Sequence, residues 1–247
     1  MARVAVLLSG GLDSAVLLAE EAACAEVQPI YVQVGLAWEA LERSSVRAFL
    51  AGIASRTSRF AIQPLVELSM DMRDVYPASH WAVVGRPPEY HTPDEDVYLT
   101  GRNIVLLGKA GVYCASAGIG RLVLGTLGHN PFPDATPAFR QAMSTALSLG
   151  LDHELAIDAP FADVDKVDVV RRGLALAVPM GLTLSCMKPA IARTRVSPVD
   201  TGTAVVDQVA GVQHCGTCSK CRERHEAFVA AGVTDATLYA DRSFVDR

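Results

Sequence analysis

The chain has no run of about 18 apolar residues, so nothing in it reads as a transmembrane helix. Its opening, MARVAVLLSGG, is too short in apolar residues for a secretory leader, and no small-residue cleavage pattern follows. Neither GxxxxGK followed by Ser or Thr, nor GxGxxG, occurs. That excludes a Walker-type phosphate loop and a dinucleotide fingerprint. Charge is sparse as well: 20% of residues are charged and the net charge is -5. No broad cationic surface for a long nucleic acid is expected from such a balance. The chain shows no internal repeat and no low-complexity tract. These absences point to a cytoplasmic protein with no membrane contact.

What is present is apolar. Half of the 247 residues are hydrophobic, enough for one large core domain. Short apolar runs at 3–8, 29–34, 59–66, 121–125 and 155–158 read as strands. Helical spacing fills 13–25, 38–55, 104–117, 133–149 and 165–177. Buried strands alternating with helices predict a parallel sheet covered on both faces. Residues 68–100, rich in Pro, Asp, His and Tyr, break the rhythm and read as an irregular insertion. It suggests a lid, with His80, Tyr90 or His91 near a substrate. Residues 189–213 read as loop and 221–231 as a helix stopped by Gly232. The expected division is a core domain, 1–181, and a small C-terminal part, 182–247.

The first strand runs into Leu8-Ser9-Gly10-Gly11-Leu12-Asp13-Ser14 and then into a helix. Glycines there let the backbone approach a ligand closely. N–H groups at the helix start point outward, where the dipole is positive, so the turn is suited to an anion. Ser9 and Ser14 add hydroxyls, and Asp13 can cap the helix or help hold a magnesium ion. The bland alternative is a tight turn with an Asp or Ser cap.

Six cysteines are present. Cys24 and Cys114 sit alone in apolar patterns. Cys215, Cys218 and Cys221 form C-x-x-C-x-x-C, and Cys186 supplies a fourth thiol from upstream. That count and spacing favour a closed structural zinc site. A reversible disulfide and an iron–sulfur cluster are the rivals. His214 and His225 lie beside the cluster and read as bystanders.

Ser9-Gly10-Gly11-Leu12-Asp13-Ser14 matches SGGxDS, the pyrophosphate loop of the N-type ATP pyrophosphatases (PP-loop enzymes), in its usual place after the first strand. Together with the four cysteines, the chain resembles the 7-cyano-7-deazaguanine synthase (QueC) family. The resemblance continues through YLTGRNIVLLGKA, PFPDATPAF, DKVDVVRRGLALAVPMGLTLSC and CGTCSKCRERHEAF. It implies the PP-loop fold with a zinc-binding appendage. It implies conversion of 7-carboxy-7-deazaguanine, ammonia and ATP to the nitrile preQ0, through an adenylated carboxylate and an amide. It further implies Mg2+ beside the ATP phosphates and a homodimer.

On that resemblance, Leu8 to Ser14 hold the nucleotide, and Asp13, Lys166 and Arg102 are the catalytic candidates. Arg102, Asn103 and Asp134 are the substrate candidates. The plainer readings are a solvated helix lysine for Lys166 and a structural ion pair for Arg102. The chain has Ala135, Thr136 and Ala138 where the family has Cys, Arg and Glu, and Met187 follows the first cysteine of the cluster. These departures keep open a relative that adenylates a different acid. A tRNA sulfur-transfer enzyme, which would need a reactive cysteine and an RNA-binding surface, is the further alternative. Nothing resembles a glutaminase domain, so free ammonia or a partner would supply nitrogen.

Overall fold

A computed structural model describes residues 3–56, 60–196 and 206–244. Five parallel strands form one sheet: β1 (Arg3–Leu7), β2 (Glu26–Gln33), β3 (Val66–Ser69), β4 (Arg121–Val123) and β5 (Ala156–Asp158), in the order β3-β2-β1-β4-β5. The helices are α1 (Leu12–Ala22), α2 (Glu39–Arg56), α3 (Trp81–Val84), α4 (Arg102–Ala117), α5 (Pro137–Leu151), α6 (Lys166–Ala175) and α7 (Ser219–Ala231).

Alternation along β1 sorts the core into two layers. Val4 and Val6 face α1, α2, α6 and α7, where Val16, Phe49, Val169 and Phe228 meet them. Ala5 faces the other way, towards Leu107, Ala110 and Cys114 of α4. A two-residue period divides the strand between faces, and both faces are covered, as a parallel sheet requires. On α2, Val46, Phe49 and Ile53 recur at helical spacing and supply its buried stripe.

Three expectations shift. The third strand is not 59–66 but Val66–Ser69. Residue 59 lies outside the described residues, and Pro64 has no N–H to give to a ladder. Up to it the chain meets β2 at the Val27–Ile62 bridge and through Gln28 Nε2, which donates to the Pro64 carbonyl at 2.7 Å; regular pairing resumes at Val66 opposite Ile30. Residues 189–213 are not simply loop. Within them β6 (Ala190–Val196) and β7 (Val206–Gln213) pair antiparallel, with a bulge at Ala192/Arg193. The insertion at 68–100 is largely irregular but packed: Met72, Tyr76, Ala82, Val97 and Leu99 belong to the α4-side core. Cys186, Cys218, Cys221 and Tyr239 join that same cluster. No helix among the described residues is long and apolar enough to cross a membrane.

Two buried acids shape the turn from β2 to α2. Glu39 accepts from the Val34 and Gly35 N–H groups, both at 2.8 Å. Glu42 accepts from Tyr31 Oη at 2.8 Å. Burial pushes Glu42 from the usual 4.5 up to about 7, against the pull of the Arg102 guanidinium. A raised acid holds its proton in the folded chain where the unfolded chain has lost it. Its contribution is therefore complete below about 4.5 and is lost as pH climbs to about 7. Glu42→Gln should remove that loss, stabilising the protein at pH 8 relative to pH 4.5 by on the order of 2 kcal/mol compared with wild type. Urea unfolding of both proteins across this window measures it; identical slopes would rule it out.

Candidate active site

The strand order reverses direction beside β1. From β1 the chain crosses to α1 and then to β2 on one side, whereas β4 leads through α5 to β5 on the other. The two connections leave opposite faces, so a crevice opens at the carboxyl ends of β1 and β4, the usual ligand position in open α/β sheets.

Leu8 continues β1 by donating its N–H to the Ile30 carbonyl at 2.8 Å, and its side chain and that of Leu12 are core. Gly10 turns the chain at φ +79°, and a Cβ there would come within 2.9 Å of Val46 Cγ2. Position and contact both demand glycine. Ser9 Oγ lies 3.1 Å from Ser14 Oγ, which can donate to the Gly11 carbonyl, also at 3.1 Å. The helix cap is Gly11, with no side-chain bond. Capping by Asp13 is thus not what forms. Asp13 sits inside the first turn, where the helix dipole still favours its charge. The first intrahelical bond is Ala15 N–H to Gly11 at 3.1 Å, so the N–H groups of Leu12, Asp13 and Ser14 have no intrahelical partner, while that of Gly11 donates to Ser9 Oγ at 3.4 Å.

Lys166 opens α6 behind a cap in which Asp165 accepts from the Asp168 N–H at 2.8 Å. Its Nζ donates to Asp13 Oδ2 at 2.6 Å and lies 2.8 Å from Glu223 Oε1. The reading of Lys166 as a solvated lysine is overturned: its side chain is 15% exposed. Burial works against its charge, but Asp13 and Glu223 outweigh that and raise it. Burial raises Asp13 too, despite the ammonium beside it. Asp13 Oδ1 is buried with no hydrogen-bond partner. Glu223 also contacts Lys220 Nζ at 2.6 Å. Burial would raise this carboxylate, yet Lys166 and Lys220 hold it below its ordinary value. Sequence reasoning missed Lys220 and Glu223. Lys220 lies inside the cysteine motif and Glu223 two residues past it, and only the fold carries that segment to the loop.

Two cavities flank this cluster. One, of about 230 Å³, is lined by Gly125, His129, Asn130 and Val164. The other, of about 240 Å³, is lined by Ser9, Trp38, Trp81, Leu99 and Arg102. Asp13, Phe132, Lys166, Lys220 and Glu223 line both. Arg102 opens α4, and its Nε is buried without a partner. Asn103 is turned to Asp134 instead. Its N–H and Nδ2 donate to the Asp134 carboxylate at 3.1 and 3.2 Å, and Nδ2 donates to the Asp134 carbonyl at 3.1 Å. This pair ties the first turn of α4, and lines neither cavity. Nor do Ala135, Thr136 or Ala138; Thr136 caps α5 through the Phe139 N–H.

The insertion contributes Trp81, Val97 and Leu99 to one cavity and Asp94 to the other, not the three residues expected. His80 stacks between Tyr76 and Trp81 and caps α3. Tyr90 stacks on Phe244, with His91 edge-on to both rings. Trp38 and Trp81 stack with centroids 5.8 Å apart.

All four sulfurs of Cys186, Cys215, Cys218 and Cys221 lie within 4.8 Å of one another, and none is in a disulfide. Cys215 and Cys221 are 3.8 Å apart, and Cys218 and Cys221 3.5 Å. Tetrahedral thiolates about 2.3 Å from one ion stand roughly 3.8 Å apart, so the donors fit a single metal ion. Cys186 Sγ accepts from the Lys188 and Cys215 N–H groups, both at 3.2 Å, which fixes where its sulfur points. Gly216, at φ +82°, leaves room for the Asp241 carbonyl that a Cβ would strike. His214 is turned away: its Nε2 accepts from the Ser185 N–H at 3.1 Å, and burial pushes it down to about 3. Arg224 locks the helix behind the cluster. It is 1% exposed and donates to Thr237, Thr183, Ser185 and the Met180 carbonyl at 2.7–3.3 Å.

Known proteins match this chain along its length. The family model for queuosine biosynthesis protein QueC covers residues 3–232. The 7-cyano-7-deazaguanine synthase of Azoarcus sp. (strain BH72) is 33% identical, over 97% of this chain and 98% of its own. That of Caldicellulosiruptor bescii is 31% identical, over 96% and 97%. That of Porphyromonas gingivalis (strain ATCC BAA-308 / W83) is 27% identical, over 95% and 96%. The match takes in the loop, Lys166 and all four cysteines alike, and with it the chain belongs to the QueC family.

Proposed function

We propose that the protein is an ATP-dependent carbon–nitrogen ligase that converts 7-carboxy-7-deazaguanine and ammonia to 7-cyano-7-deazaguanine. One observation carries this reading beyond family membership. The anion-binding turn and its Asp13–Lys166 pair stand where two cavities join, one suited to a nucleotide and one to an acid.

ATP supplies a good leaving group. A carboxylate oxygen attacks the α-phosphorus, pyrophosphate departs, and ammonia then displaces AMP from the acyl carbon to give the amide. A second ATP activates the amide oxygen in the same way, and loss of AMP and the nitrogen-bound protons leaves the nitrile. The open N–H groups of α1, with the Ser9 and Ser14 hydroxyls, bind the departing phosphates. Lys166 offsets their growing charge. The free Oδ1 of Asp13 suits Mg2+, an oxygen-seeking ion. Arg102, which lines the cavity and whose buried Nε has no partner, suits the substrate carboxylate. Asn103 and Asp134 act through it, by fixing the turn from which it projects. Trp38, Trp81 and Phe132 offer flat apolar walls for a planar ring system.

The thiol cluster is read as structural zinc. Sulfurs this close leave space for one ion, whereas an iron–sulfur cluster needs its irons and sulfides between them. With all four sulfurs so occupied, sulfur transfer would fall to Cys24 or Cys114. Cys24 lies beyond the far end of α1 and is exposed. Burial pushes the Cys114 thiol up to about 12, so neither is an activated nucleophile at the loop. The same reading takes 1–181 as the ATP-handling domain and 182–247 as its metal-bearing appendage. It makes the protein a cytoplasmic homodimer.

Purified protein incubated with Mg-ATP, ammonia and 7-carboxy-7-deazaguanine should release AMP and yield first the amide and then the nitrile by mass spectrometry. ATP binding without conversion of this acid would transfer the reading to another carboxylate. Asp13→Asn should cut AMP formation by about a thousandfold or more, with the melting temperature within a few degrees of wild type; wild-type turnover would remove the role of Asp13. Cys218→Ser should release one zinc per chain, read by elemental analysis, and lower the melting temperature by roughly 5 °C or more. Wild-type protein that carries no zinc and melts unchanged with a chelator would exclude the structural ion.

A further inference from the structure

The cysteine motif does more than close a metal site: its helix enters the ATP crevice. α7 begins directly after Cys218 and carries Cys221 in its first turn. Lys220 and Glu223, three apart, share a face of that helix. That face is turned to the loop. The two oxygens of Glu223 hold different lysines: Oε1 is 2.8 Å from Lys166 Nζ, and Oε2 is 2.6 Å from Lys220 Nζ. One carboxylate thus keeps two ammonium groups side by side, on a wall shared by both cavities. The other acid near Lys220, Asp94, is 3.8 Å away.

Charge balance shows why a second lysine is needed. Lys166 alone faces two carboxylates, Asp13 and Glu223. Those three groups sum to one negative charge and would repel a phosphate chain. Lys220 brings the sum of these four groups to zero, the more distant Asp94 is shared with Arg222, also at 3.8 Å, and the Mg2+ that accompanies ATP makes the sum positive. An anion arriving at the loop then finds two aligned cations across from the open N–H groups of α1.

We propose that Lys220 and Lys166, clamped together by Glu223, form the pyrophosphate subsite. Lys220 is a binding residue for the leaving group, and Glu223 positions the pair. This rests on the ATP reading above. It deepens that reading, because it makes the metal-bearing helix a working part of the reaction. The four thiols fix the helix, Arg224 locks it, and Lys220 and Glu223 project from it to the point where the α–β phosphate bond is broken.

The test measures binding of Mg-pyrophosphate and Mg-ATP to the full-length, zinc-loaded chain by calorimetry, with steady-state AMP release beside it. Lys220→Met should weaken pyrophosphate binding at least tenfold and raise the KM for ATP. Zinc content and the KM for the acid should be unchanged, and Lys220→Arg should recover most of the affinity. Glu223→Gln keeps the shape and removes the clamping charge. It should lower kcat at saturating ATP at least tenfold and weaken pyrophosphate binding, with zinc content and the KM for the acid unchanged, a combination that simple loss of folding would not give. Pyrophosphate affinity within twofold of wild type in Lys220→Met, or wild-type kcat in Glu223→Gln, would overturn the subsite. A wild-type protein that binds neither Mg-ATP nor pyrophosphate would instead overturn the ATP reading itself.

Discussion

The site depends on one topological constraint, the parting of the chain between β1 and β4. Parallel neighbours cannot be joined by hairpins, so each strand must hand over to a crossover. β1 hands over to the α1 face and β4 to the α5 face. The N-terminus of α1 lies in the crevice between them, where Asp13 lines both cavities. Gly10 makes the turn tight and sets the N-terminus of α1 against the crevice. The rest of the molecule decorates that crevice with charge on one side and aromatic surface on the other.

The charge comes from far apart in the chain. Asp13, Lys166 and Glu223 meet within hydrogen-bond distance, although no two of them share an element. Burying ions together is costly unless each is paired, and here each carboxylate is shared with an ammonium. The pairing leaves Asp13 Oδ1 without a partner, an unmet acceptor at the place where a phosphate-bound cation would sit. On the far side, Trp38 from the β2–α2 turn meets Trp81 from the insertion. The irregular segment at 68–100 thus builds a wall of the pocket, even though none of its histidines faces the cavity.

α7 is held from both ends of its first turns. The four sulfurs converge before it, and Arg224 is bonded on all sides behind them, with Phe228 under its guanidinium at 5.2 Å. Burial works against this guanidinium's charge, and its satisfied donors, with Asp235 nearby, offset that cost. That rigidity explains how a short motif can present Lys220 and Glu223 at a fixed place.

The sequence by itself determined the parallel α/β architecture, the tight glycine turn between β1 and α1 and the grouping of four cysteines. Each of these is a local pattern: strand and helix periods, glycines at a turn, thiols at short spacing. It also marked Lys166 and Arg102, through resemblance rather than pattern. Local pattern could not reveal the β6–β7 pairing or the restart of β3 beyond Pro64, because registers are chosen by partners elsewhere in the chain. Nor could it reveal that Asn103 and Asp134 bond each other, that Gly11 rather than Asp13 caps α1, or that Lys220 and Glu223 face the loop. The Gly11 cap is local but is chosen by how β1 delivers the chain into α1; the others are contacts across more than thirty positions, and only packing both faces of the sheet decides which distant side chains converge.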